Sequence, residues 1–221
     1  AGLSSSAAFE VIVGTILSGM FNDGKSNPVV IAQAGQFAEN VYFGKPCGLM
    51  DQMACSVGGM VHIEFKNPEE PAVEKVPSDF EAYQYSLCIV DTKASHADLT
   101  DDYAQIPADM KKVAKFFKKD FLREVPEEEF YDQISAMRGL LGDRPVLRAI
   151  HFMEEETRVQ KEVDSLRAGD FKEFLELVKE SGNSSFKYLQ NVYTTNDLNQ
   201  QAVSVALAGS DRILGKHGVC R

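Results

Sequence analysis

The stretch "AGLSSSAAFEV", residues 1–11, decides how the rest of the chain is read, because three consecutive serines, Ser4, Ser5 and Ser6, open an apolar helical run. Serine is a mediocre residue inside a helix and a strong one at its N-cap, where the hydroxyl accepts a bond from an unpaired backbone N–H. Three in a row exceed what one cap requires. A helix N-terminus also carries free N–H groups and the positive end of the macrodipole, which together seat phosphate. Gly2, Ser4, Ser5, Ser6, Ala7 and Ala8 leave such amides sterically open. A serine hydroxyl can add a ligand to a magnesium ion that travels with a nucleotide. A serine-rich N-cap on a buried helix fits the same letters.

Outward from this point, Phe9, Val11, Ile12, Val13, Ile16, Leu17 and Met20 are apolar on nearly every side, which predicts a helix over 6–20 buried between other elements. Asn22-Asp23-Gly24 ends it. Asn27-Pro28 supplies a cap and an N1 proline for a second helix running to Gly44-Lys45-Pro46, and a short third helix starts near Leu49. Strands are expected over 60–65 and within "AYQYSLCIVDT", joined by the polar loop "KNPEEPAVEKVPSDF". Helices follow over 99–119, 126–141, 144–168, 170–185 and 196–215. In "KKVAKFFKK" the apolar Val113, Phe116 and Phe117 recur at helical spacing, so its lysines read as a solvated face.

Composition narrows the partners. The 221 residues are 44% hydrophobic and 25% charged, an ordinary globular balance with room for a real core. A formal charge of −10 repels a phosphate backbone, so no nucleic-acid partner is expected. No run approaches the length of a membrane span and no leader is seen, so neither a membrane partner nor a location other than the cytoplasm is expected. Cys47, Cys55, Cys88 and Cys220 lack zinc or redox spacing and read as separate, mostly buried thiols.

A second cluster, "AENVYFGKPCGLMDQ", gives the first its weight. Glu39 falls near the end of the second helix and Asp51 in the first turn of the third, across a Gly-Lys-Pro turn. A carboxylate in a first helical turn is favoured in its charged form by the dipole. Asp51 is then placed to accept a proton or orient a hydroxyl, and Glu39 to hold a divalent cation. A surface glutamate and a simple helix-capping aspartate account for the residues equally well.

"GLSSSAA" followed by "GKPCGLMDQ" resembles the GHMP small-molecule kinases, in their galactokinase branch, whose second signature contains GLSSSA and whose catalytic segment reads CG-[LI]-MDQ. "SHADLTDDYAQI", "LRAIHFMEEETRV" and "SSFKYLQNVYTTNDLNQQAVSVAL" are similar to later family segments, so the resemblance covers essentially the whole chain. It implies an α/β (α+β two-layer) GHMP kinase-like fold. Residues 1–92 would be part of the N-terminal α/β domain, with phosphate loop and catalytic segment. Residues 93–221 would be part of a mainly helical C-terminal α+β domain.

Carried over by position, the resemblance puts Gly2, Leu3, Ser4, Ser5, Ser6 and Ala7 in the ATP phosphate loop, Mg2+ on Ser6 and Glu39, the catalytic aspartate at Asp51, and a sugar-contacting tyrosine at Tyr103. Asp51 would also face the sugar. His96 and His151 fall on recurrent family positions and read as structural. The implied activity is in-line transfer of the γ-phosphoryl group of ATP to the C1 hydroxyl of galactose, a sugar kinase of galactose metabolism. The run "VDTKASH" departs from the commoner pattern and leaves N-acetylgalactosamine or another sugar open, as it does a non-catalytic sugar- and ATP-sensing regulator.

The family's first signature, G-R-x-N-L-I-G-E-H-x-D-Y, and its glycine-rich third signature are not in the sequence. The expectation is therefore an internal, truncated and inactive portion of a longer enzyme, with exposed sheet edges open to association.

Overall fold

A computed structural model describes residues 4–67, 69–93 and 99–221, the side chain of residue 100 excepted. His96 lies outside the described residues, as do Gly2 and Leu3. The chain divides into two compact units, Ala1–Ser78 and Asp79–Arg221.

In the first unit, α1 spans Ser5–Phe21 and α2 spans Pro28–Phe37, close to the bounds that the apolar runs and caps predict. The Val29 N–H donates to Asn27 Oδ1 at 2.8 Å with proline at N1, as the Asn-Pro pair requires. Helix α2 runs on into a π-helical turn, Ala38–Tyr42, before α3, Met50–Val57. Strands β1, Val61–Glu64, and β2, Ala72–Lys75, pair antiparallel with Val61 opposite Lys75 and Glu64 opposite Ala72. Ala32, Leu49 and Met53 are buried with Val29, Val57, Ile63, Phe65 and Val73 against them.

Two expectations change here. Helix α1 is not enclosed: it packs on α2 and α3 along one side, burying Ala7, Val11 and Ser18, while Phe9, Ile12, Ile16, Met20 and Phe21 face outward. All-round apolarity reports no contact of its own, and among the described residues nothing covers the far side. The second strand also lies elsewhere. The partner of β1 comes from "AVEK", inside the stretch read as a loop, because the proline turn before it is short enough to return the chain directly.

Residues 80–85 instead fold into turns, with the Tyr85 N–H donating to Phe80 O and the Gln84 N–H to Glu81 O. Their aromatic rings gather on Phe171, with centroids at 5.4 Å for Phe80, 4.6 Å for Tyr83 and 5.1 Å for Tyr85. This attachment explains why the second unit starts at Asp79. Leu87, Ile89 and Val90 beyond it remain exposed.

The second unit is helical: α4 (Thr100–Phe116), α5 (Glu127–Asp132), α6 (Ile134–Leu141), α7 (Asp143–Ala168), α8 (Phe171–Ser184) and α9 (Ala202–Leu214). Val113, Ala114, Leu122, Val125, Phe130, Met137, Val146, Ala149 and Met153 form its main core, and Phe116 and Phe117 pack against it. The lysines of α4 are therefore the wet side of a packed helix. The single helix expected over 126–141 breaks at Gln133, and α9 starts later than Asn196, because Thr194 and Asp197 side chains accept nearby backbone N–H groups and hold turns. The four cysteines are unpaired, but none is buried: Cys55 and Cys88 are exposed and the other two half-buried. Among the described residues no helix is long and apolar enough to cross a membrane.

Candidate active site

Ser4 occupies the N-cap position of α1 at φ 47° and ψ 37°, a left-handed state unusual for a residue with a Cβ. Its hydroxyl makes no cap bond. It donates instead to Asp51 Oδ2 at 2.8 Å, across forty-seven positions of sequence. The capping account of the serines therefore fails at this residue. Ser5 and Ser6 are exposed and Ala7 is buried, so the first-turn amides of α1 are flanked by small side chains on the accessible side.

Asp51 lies exposed in the first turn of α3, and Leu49 holds the cap position, so the aspartate is not a capping residue. Glu39 opens the π-helical turn and is 4% exposed, which rules out the surface reading. Such a turn displaces the residues after it relative to a regular helix and is frequent at functional sites. Asn40 then ties the following loop in place, its Oδ1 accepting from the Cys47 N–H at 2.7 Å and its Nδ2 donating to Cys47 O at 3.3 Å.

Lys45 Nζ donates to Glu39 Oε1 at 2.8 Å, and Gln52 Nε2 donates to Glu39 Oε2 at 3.1 Å. The lysine bond holds the Glu39 carboxyl below the usual carboxylate range against burial, which pushes the other way, and the Ser6 hydroxyl adds to the lowering. Glu39 is thus an ionised, buried carboxylate with Ser6 beside it. Burial pushes the Cys47 thiol upward and Glu39 adds to this, so the thiol stays protonated and is no nucleophile.

The structure brings Ser4 to Asp51 and Ser6 to Glu39, both pairs in the first unit. Tyr103 belongs to the second unit, exposed near the start of α4. His151 is buried in α7 with Nδ1 2.9 Å from Ser184 Oγ. Lys45, Gln52 and Glu10 join the site without having been singled out in the sequence. A signal existed for Glu10, the only charged residue between Ser5 and Phe21.

Hard oxygen donors suit magnesium, which takes one or two carboxylates and completes its shell with phosphate oxygens and water. Ser6 and Glu39 meet that requirement. Among the described residues no cluster of three acidic, histidine or cysteine side chains forms a fuller cage.

The family of GHMP kinases N-terminal domains matches residues 1–59. A galactokinase of Thermotoga maritima is 32% identical over 217 residues, covering 97% of this chain and 57% of that relative. One of Streptomyces coelicolor is 34% identical over 172 residues, covering 77% of this chain and 43% of the relative. The crystal structure of Lactococcus lactis galactokinase complexed with galactose matches with a TM-score of 0.71 at 25% identity, over 96% of this chain and 52% of that one. The chain spans about half the length of the curated relatives it matches. The sequence signatures, the fold and these similarities agree: residues 1–59 match the family of GHMP kinase N-terminal domains, and over nearly its whole length the chain is similar to galactokinases.

Proposed function

We propose that the chain carries the phosphate-binding helix tip and the acceptor-side acid of a galactokinase-like sugar kinase, which transfers the γ-phosphoryl group of ATP to the C1 hydroxyl of galactose. The observation that carries this reading is the 2.8 Å bond from Ser4 to Asp51, which brings the phosphate-binding tip of α1 and the acid of α3 together. In this reading residues 1–92 and 93–221 are parts of the two family domains. Gly2, Leu3, Ser4, Ser5, Ser6 and Ala7 line the triphosphate, and Tyr103 contacts the sugar. The names of the relatives, and the galactose in the Lactococcus lactis structure, favour that substrate.

Phosphoryl transfer depends chiefly on positioning and charge neutralisation. Magnesium on Ser6 and Glu39 would neutralise charge on the β- and γ-phosphates. The α1 amides grip the phosphate oxygens, and Ser4 orients the Asp51 carboxylate. Asp51 takes up the C1 hydroxyl proton as the new O–P bond forms and the bond to ADP breaks. A carboxylate is in general a weak base for a sugar hydroxyl, so charge and placement carry more of the catalysis than proton affinity.

The test is phosphoryl transfer from ATP to a panel of hexoses by the full-length protein, beside Asp51→Ala. The substitution is expected to lower kcat by about 10²- to 10⁴-fold, the range of a lost proton acceptor, with ATP affinity retained. Unchanged turnover would remove Asp51 from the mechanism. Transfer only to N-acetylgalactosamine or another hexose would keep the mechanism and change the substrate.

A further inference from the structure

Gln52 is 1% exposed and reaches two carboxylates from different elements. Its Nε2 donates to Glu39 Oε2 at 3.1 Å and to Glu10 Oε2 at 3.1 Å, with Cys47 Sγ a longer third acceptor at 3.6 Å, so one amide joins two acids. Its own Oε1 is buried and accepts no bond among the described residues. An unpaired buried amide oxygen costs free energy, so the side chain is not in this place for its own satisfaction.

The surrounding backbone makes room for the same arrangement. A Cβ on Gly35 of α2 would stand 3.1 Å from Glu10 Cβ, 3.2 Å from Glu10 Oε2 and 3.5 Å from Gln52 Cγ. Glycine at this position lets Glu10 of α1 and Gln52 of α3 meet across α2. Three helices thus converge on one amide, which holds the carboxylate that the Ser6 hydroxyl also faces.

We infer that Gln52 is a positioning residue: it bridges Glu10 on α1 to Glu39 on the π-helical turn and so fixes the Glu39 carboxylate toward Ser6 for a divalent cation. The inference rests on the kinase reading above, and it assigns neither Gln52 nor Glu10 any contact with substrate. Outer partners that orient a metal-binding carboxylate commonly change metal affinity by about 10- to 100-fold when removed.

The experiment measures Mn2+ binding by water-proton relaxation in the full-length protein with a non-hydrolysable ATP analogue, and thermal melting alongside. Gln52→Leu, of similar volume and without donors, should weaken Mn2+ by about tenfold or more while metal-free analogue affinity stays within about twofold. Glu10→Leu, which removes only the far anchor, should weaken Mn2+ in the same direction by less, and it decides the matter if Gln52→Leu does not fold. Glu10→Gln retains an acceptor for the amide and should leave Mn2+ binding unchanged. A lower melting temperature with Mn2+ affinity unchanged in both leucine variants would make the amide purely architectural and overturn the inference, with the nucleotide reading intact. Absence of Mn2+–analogue binding in the unsubstituted protein would overturn both.

Discussion

Each unit buries one carboxylate beside a cation, and the two pairs are built for different ends. In the second unit Arg148, 1% exposed, donates from Nη1 to Asp109 Oδ2 at 2.8 Å and from Nε to Leu189 O at 3.1 Å. Lys112 and Gln105 fill the remaining Asp109 oxygen. In the first unit the cation on Glu39 is Lys45, whose side chain is 66% exposed, and the neighbouring Gln52 oxygen is left without a donor. The pair between α4 and α7 is closed on all sides and acts as architecture. Glu39 holds its charge with a counter-ion that is itself exposed, which is what the proposed cation site requires.

The comparison breaks most readily at Arg148. Arg148→Leu removes the fully buried partner and leaves Asp109 with Lys112 at its edge, so the cost should fall in the range of about 3–5 kcal/mol for a broken buried pair. Urea unfolding followed by circular dichroism measures it. The double change Arg148→Leu with Asp109→Leu should recover a large part of that loss. Lys45→Met should behave otherwise. Lys45 is itself exposed and the Gln52 amide still donates to Glu39, so the loss in stability should stay well below that at Arg148. Its melting temperature should rise more steeply with added Mg2+ than that of the unsubstituted protein, because the ammonium no longer competes for Glu39. A stability loss at Lys45 as large as that at Arg148 would erase the distinction.

Much of this was legible in the sequence, and what was not has a common cause. Apolar spacing and the Asn27-Pro28 cap locate α1, α2, α3, α7 and α8 to within a few residues, since those signals are local. The candidate residues of the proposed site were legible as types: serines at a helix tip, an acid in a first turn. The pairing of β2 with β1 and the gathering of Phe80, Tyr83 and Tyr85 on Phe171 were not, because each depends on a partner distant in sequence. Gln52 and Glu10 were missed for the same reason, being separated by forty-two positions and joined only by a bond. The outward side of α1 was misread because apolar residues all round a helix do not say how many neighbours it has.

The smallest effect concerns pH and uses a third buried group to isolate the two pairs. Burial lowers His151 from its ordinary value, Glu155 opposes this, Arg221 and Arg158 assist it, and Glu154 opposes it. Its Nδ1 meets Ser184, and among these partners only the carboxylates favour the imidazolium. For Asp109, burial pushes upward, and the bonds from Lys112 and Gln105 with the charges of Lys112 and Arg148 more than offset it, so like Glu39 it lies below the ordinary carboxylate range. Both carboxylates are therefore ionised, folded or unfolded, from about pH 7 to about pH 5.5, and neither pair changes stability there. A histidine depressed in the fold does. The unfolded chain takes up the proton that the native imidazole refuses, so stability is complete above about pH 6.5 and is lost as pH falls toward the lower native value, with a slope of at most about 1.4 kcal/mol per pH unit. His151→Gln, neutral and able to bond Ser184, should flatten the unfolding free energy over this window. Below about pH 4.5 the decline should return, as Glu39 and Asp109 take up protons. A window that keeps its slope in His151→Gln would mean that another group held below its unfolded value carries the pH dependence, and would overturn the assignment to His151. A slope of reversed sign would instead report a carboxylate that titrates above its ordinary range, the direction in which burial pushes Glu162. If that carboxylate proved to be Glu39 or Asp109, the contrast between a closed pair and an exchangeable one would have to be redrawn around it.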